Sequence, residues 1–132
     1  DLPLFCERYK LPLNFNPNFP LNSLQAMRGA CVMEGDPNEE RYREVLFRAA
    51  WVNQKNLGDE AVLKEVLIEA GIDADKVVAG AADPEVKEKL KANTEEAYQR
   101  GAFGAPTMYL DGTMFFGQDR LDFIEERLAR HS

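Results

Sequence analysis

The sequence predicts an α/β chain that is mostly helical, with one β-hairpin near its C-terminal end and a sheet that is incomplete as it stands. Three observations lead there. Over residues 1–100, apolar residues recur at helical spacing between caps and breakers. The pattern then changes to two short apolar runs, Pro106–Leu110 and Thr113–Phe116, around Asp111-Gly112, a pair suited to a two-residue hairpin turn. Gly117 ends the second run and a helical pattern returns. An isolated hairpin is marginal in water. Met108, Leu110, Met114 and Phe116 therefore require further strands, which are expected before Asp1 or on another chain, pairing the hairpin's edges.

The elements follow in order. Asp1 caps a short first helix, with Pro3 in its first turn and Leu2, Phe5, Cys6 and Tyr9 on one side. From Leu11 to Leu21, prolines and asparagines oppose regular structure. Asn22 or Ser23 caps a second helix with Leu24, Met27 and Cys31 inward, broken by Gly35-Asp36-Pro37. A third helix spans about Asn38–Gln54 on Tyr42, Val45, Leu46, Ala49 and Val52. Asp59 caps a fourth on Val62, Leu63, Val66, Leu67 and Ala70, stopped by Gly71. Asp73 or Asp75 caps a short fifth around Val77 and Val78. Asp83-Pro84 opens a sixth, cap then proline, with Val86, Leu90 and Ala97 as its apolar face. The last helix starts at Gln118 or Asp119 and turns Leu121, Ile124 and Leu128 inward.

Composition narrows the function. The chain has 132 residues, a net charge of -7 and 45% hydrophobic residues, an ordinary globular balance for one domain. Acidic charge disfavours nucleic acid, whose phosphates need clustered Lys and Arg. No apolar run approaches the roughly 20 residues that span a bilayer, so no membrane partner is expected. There is no signal peptide, although the chain begins with Asp1 and a targeting segment upstream stays open. Cys6 and Cys31 form no C-x-x-C motif; they are read as two buried thiols of a reducing cytoplasm, with one disulfide allowed on counting alone. His131, the sole histidine, sits at the chain end, a poor base and a poor metal nucleus, and no metal site is expected.

The run from Gly101 to Leu121, Gly-Ala-Phe-Gly-Ala-Pro-Thr-Met-Tyr-Leu-Asp-Gly-Thr-Met-Phe-Phe-Gly-Gln-Asp-Arg-Leu, resembles one family group. It is similar to the 2-hydroxychromene-2-carboxylate isomerases, the kappa-class glutathione transferases and related DsbA-like oxidoreductases. Tyr9–Leu13 and Asn18–Leu24 resemble the same group where its helical insertion begins. The resemblance covers nearly the whole chain, with the middle helices matching mainly in order and length. It implies a DsbA-type thioredoxin fold. Residues 1–100 would be the helical insertion with its entry and exit helices, and residues 101–132 the C-terminal ββα part. The opening βαβ unit, with the reactive Ser or Cys at its first helix, would lie upstream of Asp1, so no catalytic residue is expected in this chain.

The resemblance also implies site residues. A cis bond before Pro106 would offer the Ala105 backbone as an edge for extended glutathione, against the plainer reading of Pro106 as a strand start. Asp119 would accept from the γ-glutamyl ammonium with Gln118 nearby, although Asp119 is first a helix cap and kappa-class members often carry Ser at Gln118. Asn22, Trp51 and Phe103 are candidate pocket residues; Asn22 is otherwise a cap, and Trp51 more simply a core or inter-domain aromatic.

The implied function is a glutathione-dependent isomerase or transferase acting on a small aromatic-degradation intermediate, with a homodimer open. The rival is a DsbA-like thiol-disulfide oxidoreductase with an upstream C-x-x-C. A third reading is an inactive fragment or interaction module.

Overall fold

In a computed structural model, described here for residues 2–131, the chain forms two compact units, one through Leu90 and one from Lys91 onward. In the first, α1 (Leu2–Tyr9) precedes an irregular stretch, and α2 (Leu24–Val32), α3 (Glu39–Trp51), α4 (Glu60–Glu69) and α5 (Ala74–Ala81) follow. Helix α6 (Pro84–Gln99) runs across the boundary. The second unit holds β1 (Thr107–Leu110), β2 (Thr113–Phe116), a short 3₁₀ turn at Gln118–Arg120 and α7 (Leu121–Arg130).

Local signals set several boundaries. Asp59 accepts from the Ala61 N–H at 2.9 Å and Asp73 from the Lys76 N–H at 3.0 Å, each relieving an orphan donor of a helix start. Asp83 does the same for Glu85 at 2.8 Å. Gly71 follows α4 with φ of 74°, the left-handed conformation that favours glycine. Asp111 and Gly112 have φ of 50° and 76°, and the strands they join pair in register from Thr107 opposite Phe116 to Leu110 opposite Thr113. The cap expected of Asp1 lies outside the described residues.

The core belongs to the helical unit. Leu63, Leu67 and Val77 are wholly buried, with Tyr42, Leu46, Ala49 and Met33 packed around them. Helix α2 corrects the expected face. Ala26 and Gly29 are buried, whereas Leu24 and Met27 are exposed and Cys31 is half-buried. The cause is close approach. Tyr42 reaches under α2 to donate its hydroxyl to the Ala26 carbonyl at 2.7 Å, and a Cβ on Gly29 would collide with that hydroxyl and lie 2.9 Å from Val77. Gly80 repeats this on α5, where a Cβ would come within 2.6 Å of Val32. Burial, with the nearby Cys31 second, holds the Tyr42 hydroxyl well above the ordinary tyrosine pKa.

The asparagines of the irregular stretch are structural. Asn16, 1% exposed, donates from its amide to the carbonyls of Ala50 and Lys55, both at 2.9 Å, and accepts from the Asn18 backbone and side chain at 2.9 and 3.0 Å. Asn14 donates from its backbone to the Trp51 carbonyl and from its side chain to the Val52 carbonyl, both at 2.7 Å. Together they satisfy the orphan carbonyls where α3 ends.

The hairpin unit holds the expected two-stranded sheet, and the described residues supply no third strand to pair its edges. It differs from expectation in two ways. Leu121 and Leu128, expected inward, are half exposed, because no further layer lies on that face of α7 within the unit. The final helix is preceded by a 3₁₀ turn rather than starting at Gln118 or Asp119. Cys6 and Cys31 are free thiols, half-buried rather than buried.

Candidate functional site

The hairpin unit gathers five of the predicted residues. The Ala105–Pro106 bond is cis. Ala105 is exposed, and neither its N–H nor its carbonyl has a hydrogen-bond partner among the described residues. On either side the backbone is tied. Thr107 donates its hydroxyl to the Gly104 carbonyl at 2.6 Å, and the Gly117 N–H donates to the Pro106 carbonyl at 2.9 Å. The second bond joins the base of β1 to the start of the 3₁₀ turn, with Ala105 one residue before its acceptor and Gln118 and Asp119 one and two residues after its donor.

Asp119 is not a cap. No side chain caps the 3₁₀ turn or α7, whose N-cap position is taken by Arg120. The carboxylate instead folds back over Gly117, where a Cβ would lie 2.5 Å from Asp119 Oδ1. Gly117 has φ of 97°, so the turn needs glycine both for its backbone and for this space. Asp119 also faces the Arg120 guanidinium at 3.6 Å, in an exposed pair of small energetic worth. Phe103 stacks obliquely on Phe116 with centroids 4.5 Å apart, next to Gly104, where a Cβ would lie 2.8 Å from the Phe116 ring.

Trp51 and Asn22 belong to the helical unit and line different cavities. Trp51 lies on one of about 410 Å³ walled by Phe19, Pro20, Met27, Leu46 and Phe47. The Phe19 ring is 6.0 Å from Trp51, and the Phe19–Pro20 bond is also cis. The asparagine clamp on the end of α3 holds the Trp51 carbonyl and so fixes this wall. Asn22 faces a second, more polar cavity of about 330 Å³ that also takes in Arg28 and Lys87. Sequence reasoning missed Met27 and Phe47 as cavity residues. The usable signal was an excess of large apolar residues on α2 and α3 over what one buried stripe needs.

No cluster of His, Cys, Asp or Glu fit to hold a metal occurs among the described residues, and no described helix is long and apolar enough to cross a membrane.

A helical unit joined to an antiparallel hairpin, with a cis proline before its first strand and a helix after its second, is the arrangement of a helical insertion and the C-terminal part of a thioredoxin-type fold. A family model for the DsbA-like thioredoxin domain matches residues 1–129, and the chain belongs to that family. A relative, 2-hydroxychromene-2-carboxylate isomerase of Sphingobium xenophagum, is 30% identical over 128 residues, covering 97% of this chain and 65% of that protein. Glutathione S-transferase kappa 1 of Homo sapiens is 29% identical over 143 residues, covering 98% of this chain and 63% of its own length. A solved structure of selenomethionine 2-hydroxychromene-2-carboxylate isomerase matches with a TM-score of 0.86 at 28% identity, over 98% of this chain and 63% of that one. The chain thus spans just under two thirds of these relatives.

Proposed function

We propose that this chain is the glutathione-holding part of a glutathione-dependent isomerase or transferase, with the reactive residue carried by the portion of its relatives that it does not span. One observation carries the reading. The unpaired Ala105 backbone and the exposed, non-capping Asp119 lie on either side, along the chain, of the 2.9 Å bond between Gly117 and Pro106. An extended tripeptide suits that pair. Its cysteinyl backbone meets the Ala105 amide and carbonyl by strand-like hydrogen bonds. Its γ-glutamyl ammonium meets Asp119 in a charge-assisted bond, with the Gln118 amide beside it. Names among the relatives support glutathione as the ligand: Homo sapiens glutathione S-transferase kappa 1 and Caenorhabditis elegans glutathione s-transferase kappa 2.

Bound glutathione would supply a thiolate able to add reversibly to an electron-poor double bond. The part played by this chain is to bind and orient it. A small aromatic substrate agrees with the isomerase names and with the aromatic wall of Phe19 and Trp51 in the helical unit. The free Cys6 and Cys31 suit a reducing compartment such as the cytoplasm.

Calorimetry with glutathione and the Asp119→Ala variant tests this. Losing a charge-assisted hydrogen bond weakens binding roughly tenfold or more. Folding stability should hardly move, since Asp119 caps nothing. Unchanged affinity overturns the reading. If an extended peptide binds at Ala105 and glutathione does not, the thiol-disulfide oxidoreductase reading replaces it. The 132-residue chain alone should catalyse neither isomerisation nor dithiol exchange. Robust turnover that survives replacement of Cys6 and Cys31 contradicts this placement of the reactive residue.

A further inference from the structure

The more polar cavity of the helical unit, about 330 Å³, plays no part in the glutathione reading. Two cations face it. Arg28 stands on α2, and its Nε is buried with no hydrogen-bond partner among the described residues. Lys87 stands in the first turns of α6, and its amine makes no ion pair among the described residues. A buried guanidinium N–H without a partner costs free energy, which an acceptor would recover once a small shift of the Arg28 side chain turned that N–H toward the cavity. Asn22 adds a donor. Its Oδ1 accepts from the Leu24 N–H at 3.3 Å, and its amide N–H₂ has no partner among the described residues.

The wall also states which anion. Glu60 lines the same cavity, accepts from the Gln25 amide of the same wall at 3.1 Å and faces Lys64 at 3.7 Å. Two cations and one carboxylate leave a single net positive charge, which suits a monoanion and works against a phosphate dianion. The planar guanidinium fork matches a carboxylate. Leu24, Val78 and Ala81 form an apolar part of the wall that gives a short hydrocarbon body a surface to cover.

We propose that Arg28, Lys87 and Asn22 form a binding site for a small organic monocarboxylate, separate from the Ala105–Asp119 edge. Arg28 takes the carboxylate in its fork, Lys87 adds charge from α6, and Asn22 donates from the loop before α2.

The test is a titration of the 132-residue chain with sodium butyrate, followed by the ¹⁵N–¹H resonances of the Arg28 Nε–H and the Gln25 and Ala82 amides. Inorganic phosphate and the neutral butyramide run in parallel. The expected result is a saturable shift with butyrate, at least about tenfold weaker with either control, and about tenfold weaker in Lys87→Gln. Lys87 is exposed, so this variant keeps the fold and the test does not depend on replacing Arg28. No saturable shift with butyrate overturns the site. Phosphate binding as tightly as butyrate overturns the carboxylate assignment. Equal affinity in Lys87→Gln overturns the role of the second cation.

Discussion

The helical unit and the hairpin unit use their apolar residues differently. Every fully buried side chain among the described residues falls between Asn16 and Ala81, and none lies beyond Lys91. The helical unit packs Tyr42, Leu63, Leu67 and Val77 into a shared core, while Leu24, Met27, Phe47 and Ile68 on its helices stay exposed. The hairpin unit leaves Phe103, Phe116, Leu121 and Leu128 substantially exposed, along with the backbone of Ala105. Cohesion and binding capacity are thus unevenly divided: groups that are free to meet a ligand are groups that the fold has not used.

The largest expected effect follows from this. Leu67→Ala empties a wholly buried position and should cost about 2–5 kcal/mol in urea unfolding. Leu128→Ala, half exposed on α7, should stay within about 0.5 kcal/mol. Similar costs at the two positions would break the contrast.

Next come the hydrogen bonds. Asn16→Ala removes the donor to the Ala50 and Lys55 carbonyls and the acceptor of the Asn18 N–H, and should cost about 1–3 kcal/mol. Because the clamp fixes the end of α3, Trp51 fluorescence should shift as well. An unchanged spectrum at full stability would contradict the clamp.

Glycine substitutions sharpen the same contrast. Gly29→Ala drives a methyl group into Tyr42 and Val77 inside the core, at about 1–3 kcal/mol. Gly104→Ala meets the Phe116 ring, which is 40% exposed and has room to swing aside, so thermal melts should show the smaller loss there.

The smallest effect is electrostatic and exposed. Asp36 is held below the usual carboxylate pKa by its hydrogen bond from Lys76 and then by the Asn38 N–H, and Lys76 is raised by the same bond. A depressed carboxylate stabilises above its unfolded pKa and loses that contribution as pH falls through the folded value. The raised lysine contributes below its unfolded pKa and loses this as pH rises through its folded one. Asp36→Asn should therefore lower Tm slightly at neutral pH and match the parent protein in acid. A gap that persists in acid would refute the pairing.

Much of this was legible beforehand, and the gaps have physical causes. Asp59, Gly71, Asp83-Pro84 and Asp111-Gly112 act within a few residues of themselves, so their positions named the element ends. The buried face of α2 was not legible, because counting large apolar residues pointed to Leu24 and Met27. The crossing with Tyr42 instead depends on how little Ala26 and Gly29 occupy. The asparagines from Asn14 to Asn18 read as breakers because their partners, the carbonyls closing α3, lie more than thirty residues away. Asp119 read as a cap because short acidic residues at helix starts usually are; the intervening 3₁₀ turn changes its task. The cavity with Arg28 and Lys87 joins residues from separate helices, and no local spacing announces it.

The most direct measurement is a glutathione titration of the ¹⁵N-labelled chain, read amide by amide. The account predicts saturable shifts centred on Ala105, Gln118 and Asp119, with slowed exchange of the Ala105 N–H and with Leu63 and Leu67 unmoved. Shifts confined to the helical unit, or no saturable shift at all, would contradict it.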